Sequence, residues 1–126
     1  MIQSVAFIGL GAMGYRMASH LPKHFEHVWV WNRNFDKAKQ HAEAYGTQAV
    51  ELAQAVQADV VFSCLPTSQD IEDLLAQVEL KAGSIWVDCT SGVPSSAKKV
   101  AEQLKQHGVD FLDAPVSGPV SYTHLR

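Results

Sequence analysis

A glycine-rich run, FIGLGAMG, constrains the fold of this chain more than any other feature. Gly9, Gly11 and Gly14 have the spacing Gly-x-Gly-x-x-Gly, directly after an apolar segment and at the start of a segment with helical periodicity. In that context the first glycine permits a tight turn, the second lets the backbone approach a pyrophosphate, and the third lets the helix pack closely on the strand. The run therefore predicts a dinucleotide-binding loop. Its predicted binding residues are Gly9, Leu10, Gly11, Ala12, Met13 and Gly14.

Six short apolar runs alternate with helical segments along the rest of the chain, which is typical of βαβ units and a parallel sheet. The first, fourth and fifth runs are apolar nearly throughout, as strands buried on both faces are. The runs are Val5–Leu10, Val28–Trp31, Gln48–Val50, Asp59–Leu65, Ser84–Thr90 and Val109–Ala114. The sequence predicts an α/β fold, a doubly wound parallel sheet of the Rossmann dinucleotide-binding type.

Five helices are predicted between these runs. The first contains Met13, Met17, Ala18 and Leu21 at helical spacing and cannot continue through Pro22. The others are Asp36–Tyr45, Glu51–Gln57, Gln69–Val78 and a helix that starts at Ser95 or Ser96 and ends before Gly108.

Length and composition exclude several classes of function. A chain of 126 residues fits one domain, and its net charge of −3 argues against a nucleic-acid partner. No apolar run reaches the ~20 residues that a membrane span needs. The sequence shows no signal peptide before the first strand, and we therefore expect a reducing compartment, the cytoplasm in preference to an organelle matrix. Cys64 and Cys89 form no Cys-x-x-Cys pair, and both are expected to be small buried residues. The histidines have no metal-ligand spacing, and no metal is expected.

The end of the second strand bears on the identity of the cofactor. Flavoproteins and S-adenosylmethionine enzymes use related glycine loops, and a glycine-rich turn without a ligand is a further alternative. Enzymes that prefer NAD usually place Asp or Glu here, but this chain has Asn32, Arg33 and Asn34. A guanidinium can bind a 2′-phosphate with two charge-assisted hydrogen bonds, the asparagines can add further bonds, and Lys37 can add a second positive charge. The sequence favours NADP over NAD, with a solvated surface arginine as the alternative.

Two further loops follow strands at the edge of the sheet where doubly wound folds bind ligands. The loop CLPTSQD places Leu65 and Pro66 beside the nicotinamide-ribose half of the cofactor. The loop DCTSGVP offers the hydroxyls of Thr90 and Ser91 to the nicotinamide. Ordinary turn-forming roles are the alternative for all four residues.

Five motifs in order, FIGLGAMGYRMASHL, VWNRN, CLPTSQD, DCTSGVP and FLDAPVSG, resemble the β-hydroxyacid dehydrogenase family. This family includes 3-hydroxyisobutyrate dehydrogenases, glyoxylate/succinic-semialdehyde reductases and, more distantly, 6-phosphogluconate dehydrogenases. The resemblance runs from Val5 to Gly118. It implies hydride exchange between a nicotinamide cofactor and a small β-hydroxyacid or semialdehyde, and a homo-oligomer as the full-length form.

The resemblance also implies roles for individual residues. Asn32 and Arg33 would face the adenosine ribose, and Ser91 would keep the hydroxyl of a family threonine. Ser117 and Gly118 would bind the substrate carboxylate. The residues that would line the cofactor are Leu65, Pro66 and Asp70, where the family often has Asn in place of Asp70.

The match to the family breaks after Gly118. Pro119 removes a backbone donor where the family binds a carboxylate. The family continues with a Gly-x-x-x-Lys-x-x-x-Asn helix, whose lysine is the general acid/base, and with an all-helical domain. Neither is present in these 126 residues. We therefore assign no catalytic residue and expect the chain alone to be inactive.

The last residues, VSYTHLR, match nothing in the family and resemble the translated read-through of a transposon-end sequencing adapter. The expected organisation is thus a Rossmann domain over residues 1–119 and a non-native tail over residues 120–126. Two hypotheses remain open. One is the NADP-binding domain of a dehydrogenase truncated before its catalytic lysine, and the other is a free-standing module that binds or senses NADP without catalysis.

Overall fold

The computed structural model describes residues 2–90 and 94–114 of the chain. They form a six-stranded, all-parallel sheet in the order β3-β2-β1-β4-β5-β6. The strands are β1 (Ser4–Ile8), β2 (His27–Trp31), β3 (Gln48–Ala49), β4 (Val60–Ser63), β5 (Ile85–Asp88) and β6 (Asp110–Asp113). Two mononucleotide-binding halves meet between β1 and β4, so the predicted doubly wound Rossmann sheet is confirmed.

In the part of the chain that the structure describes, five α-helices connect the strands. They are α1 (Ala12–Ser19), α2 (Phe35–Tyr45), α3 (Leu52–Ala55), α4 (Ser68–Leu75) and α5 (Pro94–Gln106), with a single 3₁₀ turn at Leu21–Lys23. Helix α4 ends three residues before the predicted Val78, because the amide of Gln77 bonds to the Leu74 carbonyl and tightens the last turn. Val78 still packs on the core, which explains why the apolar pattern continues beyond the helix. Within the described ranges, no helix is long and apolar enough to cross a membrane.

The centre of the sheet is buried on both faces. Val5, Ala6, Phe7 and Ile8 of β1 are each at most 1% exposed. Alternate side chains of β1 point to opposite faces of the sheet. Ala6 and Ile8 pack in the apolar cluster between the sheet and helices α4 and α5, and Phe7 packs in the apolar cluster between the sheet and helices α1 and α2. This explains why the first run is apolar at every position rather than at every second one.

The register of the central strands sets the position of the loops. Ile8 is paired with Trp31 of β2 and with Ser63 of β4. Strands β1, β2 and β4 therefore end at the same level, and the loops that follow them leave the sheet side by side. In a doubly wound sheet this edge, at the switch between the two halves, is where ligands bind.

Candidate dinucleotide-binding site

A cleft of about 510 Å³ lies at the carboxyl ends of β1, β2 and β4. It brings together the predicted cofactor residues that the described ranges contain, with the exception of Thr90. These are Gly9, Leu10, Gly11, Ala12, Met13, Gly14, Asn32, Arg33, Asn34, Leu65, Pro66 and Asp70. Ser91, Ser117 and Gly118, the other predicted site residues, lie outside the described residues. Among the residues described, no group of histidines, cysteines and carboxylates could hold a metal ion.

Two glycines of the loop are required by the fold itself. Gly9 has φ +98°, and a Cβ there would overlap the carbonyl oxygen of Cys64 on the neighbouring strand end. A Cβ at Gly14 would overlap the carbonyl oxygen of Gly9 and lie 3.1 Å from the Phe7 ring. The predicted tight turn and close helix–strand packing are therefore present in the structure.

Gly11 differs from the other two glycines because the protein places nothing over it. A Cβ at Gly11 would meet no atom within 4 Å, and its φ of −67° is open to any residue. The first bond of α1 runs from the Tyr15 amide to the Gly11 carbonyl at 2.8 Å, so the amides of Ala12, Met13 and Gly14 precede the first intrahelical donor. Together with the positive end of the helix dipole, these amides form a surface suited to an anion.

The two asparagines after β2 hold the loops in place. Asn32 accepts a hydrogen bond from the Leu10 amide at 2.8 Å and donates one to the Asn34 carbonyl at 3.0 Å. Asn34 caps α2 by accepting from the Asp36 amide at 3.2 Å. Their side chains thus order the cleft wall, and direct contact with a cofactor stays a prediction for both.

Two cations line the same end of the cleft. The Arg33 side chain is 74% exposed, and its Nη2 lies 3.4 Å from Oδ1 of Asp70. Lys37 donates from Nζ to the Leu10 carbonyl at 3.3 Å, which ties α2 to the glycine loop. This end of the cleft therefore presents positive charge next to the anion-binding surface of α1.

A buried network supports the opposite end of the cleft. The Thr90 hydroxyl accepts from the Leu65 amide at 2.9 Å, and the Thr90 amide donates to Asp88 Oδ1 at 2.9 Å. Ser63 also donates to Asp88 and receives a hydrogen bond from the Trp86 indole. Burial raises the pKa of Asp88, and the hydrogen bonds to its carboxylate oppose that rise. Thr90 is 3% exposed, so the structure places it in the turn-supporting role rather than at the cleft surface.

The cysteines have the environment of small core residues. Burial raises the pKa of the Cys64 thiol and raises that of Cys89 to about 11. Both thiols stay protonated at neutral pH and are poor nucleophiles. This supports the structural role expected for them.

Four residues that line the cleft were not predicted from the sequence to contact the cofactor. They are Trp31, Lys37, Cys64 and Leu74. Lys37 was noted only as an added charge. Trp31 is the last residue of β2, directly before Asn32, so its place at the sheet edge could have identified it. Leu74 belongs to the apolar stripe of α4, and nothing in that pattern separates a residue that borders the cleft from one in the core.

Comparison with known proteins agrees with this geometry. Residues 4–123 match the profile of a family described as the NAD binding domain of 6-phosphogluconate dehydrogenase. The NAD-dependent L-serine dehydrogenase of Pseudomonas aeruginosa is 37% identical over 124 residues, which cover 93% of this chain and 41% of that enzyme.

Two solved structures have the same fold. The 3-hydroxyisobutyrate dehydrogenase of Mycobacterium tuberculosis, solved with L-serine, has a TM-score of 0.85 and 30% identity, covering 96% of this chain and 43% of that one. A reductive aminase from Aspergillus terreus, solved with NADPH and ethyl levulinate, has a TM-score of 0.80 and 27% identity, covering 90% and 40%. The chain thus spans about two fifths of the length of these proteins. It belongs to the family of NAD-binding domains of 6-phosphogluconate dehydrogenase, together with 3-hydroxyisobutyrate dehydrogenases and related oxidoreductases.

Proposed function

We propose that this chain is the NADP-binding domain of an oxidoreductase that exchanges hydride between NADP(H) and a small β-hydroxyacid or the matching semialdehyde. One observation carries the proposal. The open surface over Gly11 and the first-turn amides of α1 share a cleft with the side chains of Arg33 and Lys37. An anion-binding helix end beside two cations suits a dinucleotide with a third phosphate.

The loop residues fit the pyrophosphate of such a cofactor. A side chain at residue 11 would fill the space above the loop, whereas glycine leaves it free for phosphate oxygens. Asn32 holds the Leu10 amide, so the loop is ordered before any ligand binds. Leu65 and Pro66 would border the nicotinamide-ribose half, with the hydroxyl of Ser91 nearby.

Arg33 favours NADP over NAD. The residues from Asn32 to Asn34 include no carboxylate that would repel a 2′-phosphate, and Arg33 extends into solvent at the cleft mouth. The relatives include a NAD-dependent enzyme and a structure that contains NADPH, so family membership leaves the preference open. The local charge is what supports NADP here.

The proposed substrate class follows from the chemistry that two relatives share. L-Serine and 3-hydroxyisobutyrate both carry a hydroxyl on the carbon β to a carboxylate. Bound NADP⁺ would take a hydride from that carbon as the hydroxyl loses its proton, which yields the semialdehyde and NADPH. Ser117 and Gly118 would bind the substrate carboxylate. The proton acceptor would be a lysine beyond these residues, in a helical domain that also forms a homo-oligomer.

A domain exchange tests this proposal. Residues 1–114 would replace the matching segment of the Pseudomonas aeruginosa L-serine dehydrogenase, and kcat/KM would be measured with NADP⁺ and NAD⁺. We expect the hybrid to oxidise L-serine with a preference for NADP⁺, because Arg33 is transferred with the domain. The 126-residue chain alone should bind NADPH and turn over nothing.

The unaltered parent enzyme is the control for the cofactor preference. A hybrid that folds and oxidises L-serine but still prefers NAD⁺ would contradict the assignment of NADP. A folded hybrid that binds NADPH without oxidising L-serine would contradict the dehydrogenase role itself.

A further inference from the structure

An ion pair spans the mouth of the cleft. Arg33 follows β2, Asp70 lies in the first turn of α4, and their side chains meet with Nη2 and Oδ1 3.4 Å apart. The two residues are 37 positions apart in the sequence. The contact therefore joins the two halves of the fold across the cleft that the cofactor would occupy.

The two partners of this pair differ in freedom. Asp70 is fixed by the capping box of α4, in which its Oδ2 accepts from the amide and the hydroxyl of Thr67, each at 3.0 Å. Its other carboxylate oxygen, Oδ1, faces Arg33. The Asp70 side chain is only 21% exposed, whereas that of Arg33 is 74% exposed. Arg33 can turn to another anion, and Asp70 cannot follow it.

We propose that Asp70 determines cofactor specificity by competing with the 2′-phosphate of NADP for the Arg33 guanidinium. This inference rests on the proposed function of the cleft. NADP must take Arg33 from Asp70 and place its phosphate near a fixed carboxylate, whereas NAD can bind with the pair intact. Asp70 therefore reduces the difference in affinity between NADP and NAD that Arg33 creates.

The other charged side chains near this end of the cleft do not compete with the 2′-phosphate for Arg33 as Asp70 does. Lys37 is positive and is held on the Leu10 carbonyl. Asp73, one turn along α4, is exposed and pairs with Gln69 at 3.1 Å instead of facing the cleft. Helix α4 also carries Glu72, but Asp70 is the carboxylate of this helix that lines the cleft and pairs with Arg33.

The test compares Asp70→Asn with Asp73→Asn in the full 126-residue chain. Both changes remove one negative charge from α4, and the asparagine at residue 70 keeps an oxygen that can accept from the Thr67 amide. Dissociation constants for NADPH and NADH would be measured by quenching of tryptophan fluorescence. We expect Asp70→Asn to tighten NADPH binding by roughly threefold to tenfold and NADH binding by less than about twofold, with Asp73→Asn changing neither by more than about twofold.

Arg33→Ala and the double variant Arg33→Ala/Asp70→Asn complete a cycle. Competition requires that Asp70→Asn lose its effect on NADPH when Arg33 is absent. An equal gain in both backgrounds would mean that Asp70 repels the phosphate directly, and it would overturn the proposal. If Asp70→Asn melts below the wild type, Asp70→Ser, which also offers an oxygen to Thr67, takes its place.

The outcomes separate this inference from the function on which it rests. If Arg33→Ala weakens NADPH binding and Asp70→Asn leaves it unchanged, Asp70 does not compete, and the NADP site stands. If the wild-type chain binds neither dinucleotide, the proposed function and this inference fail together.

Discussion

The three loop glycines lack side chains for different reasons. Gly9 and Gly14 lie where a Cβ would overlap protein atoms, so the fold itself requires them. Gly11 lies where a Cβ would meet no protein atom within 4 Å. The fold does not require a glycine at this position, so we expect the missing side chain to matter for a ligand bound above the loop.

A pair of alanine substitutions should separate these two requirements. Gly11→Ala should change the free energy of unfolding by no more than ~0.5 kcal/mol, since its φ of −67° suits alanine and the space is open. Gly14→Ala should destabilise the chain by roughly 1–3 kcal/mol, because its Cβ would press on the Gly9 carbonyl. Urea denaturation measures both values.

Gly11→Ala should nevertheless weaken NADPH binding by about tenfold or more, because the methyl group takes the space of a phosphate oxygen. A Gly11→Ala variant that is as stable as the wild type and binds NADPH equally well would contradict this assignment of the loop.

Local patterns in the sequence predicted which residues line the cleft, but they did not predict the hydrogen bonds that these residues make. Arg33 and Pro66 were placed correctly in the cleft because each lies in a loop that follows a strand ending at the binding edge. The role of Asn32 was not foreseen, since its bond to the Leu10 amide joins residues 22 positions apart. The partner of Thr90 is similarly distant in sequence, and only the folded sheet brings Leu65 to it.

A buried histidine joins α1 to α2 and to the turn after α2. His41 is fully buried, with Nδ1 2.8 Å from the Thr47 hydroxyl and Nε2 3.1 Å from the Tyr15 carbonyl. Since a carbonyl only accepts, Nε2 carries the proton and Nδ1 accepts from Thr47. Burial lowers the pKa of His41, and the Tyr15 carbonyl partly opposes the shift. The helices thus pack around a neutral imidazole.

This environment should make stability depend on pH below neutrality. The unfolded chain binds a proton at the ordinary histidine pKa of ~6.5, whereas the folded chain does so only at lower pH. The neutral imidazole of His41 therefore makes its full contribution to the free energy of unfolding above the unfolded pKa. Below that pKa the free energy of unfolding falls with decreasing pH, by at most ~1.4 kcal/mol per pH unit, until the lower folded pKa is reached. Urea denaturation between pH 5 and 8 measures it.

His41→Gln should flatten this pH dependence, because glutamine can still donate to the Tyr15 carbonyl and does not titrate near neutrality. His107→Gln, at the exposed end of α5, is the control and should keep the wild-type slope. Equal slopes for the His41 variant and the wild type would rule out His41 as the source.

A second contact ties the start of β1 to the loops around β4 and β5. Asp59 accepts from Lys81 Nζ and from the Gln3 amide, each at 2.8 Å, and from the Ser4 amide at 3.3 Å. The hydrogen bond from Lys81 is the largest cause that lowers the pKa of Asp59 to about 2, followed by the two amides. The ionised carboxylate of Asp59 therefore stabilises the folded chain above the unfolded pKa of ~3.9, and this stabilisation is lost as the pH falls through the folded pKa.

Lys81→Met should raise the pKa of Asp59 toward its ordinary value and move acid unfolding to higher pH. Carboxyl NMR titration measures the pKa directly, with Lys105→Met on the exposed side of α5 as the control. A pKa that stays near 2 in Lys81→Met would assign the effect to the two amides instead.

The doubly wound parallel sheet could be predicted from the sequence, because it follows from the alternation of strands and helices and from the handedness of their connections. Runs such as Val5–Ile8, apolar at every position, occur where helices cover both faces of a parallel sheet. Right-handed crossovers then leave few topologies for six strands. The ends of helices were less predictable. Val78 continues the apolar stripe of α4 and packs on the core, although the helix ends at Leu75.

We propose that the cleft at the carboxyl ends of β1, β2 and β4 binds NADP, and a titration followed by ¹H–¹⁵N NMR would locate the bound cofactor. NADPH should shift the amides of Gly11, Ala12 and Met13 and those next to Arg33 and Leu65, with saturation at lower concentration than for NADH. Amides of β6, such as that of Leu112, should not move. Saturable shifts elsewhere, or none in the glycine loop with NADPH in excess, would contradict the claim.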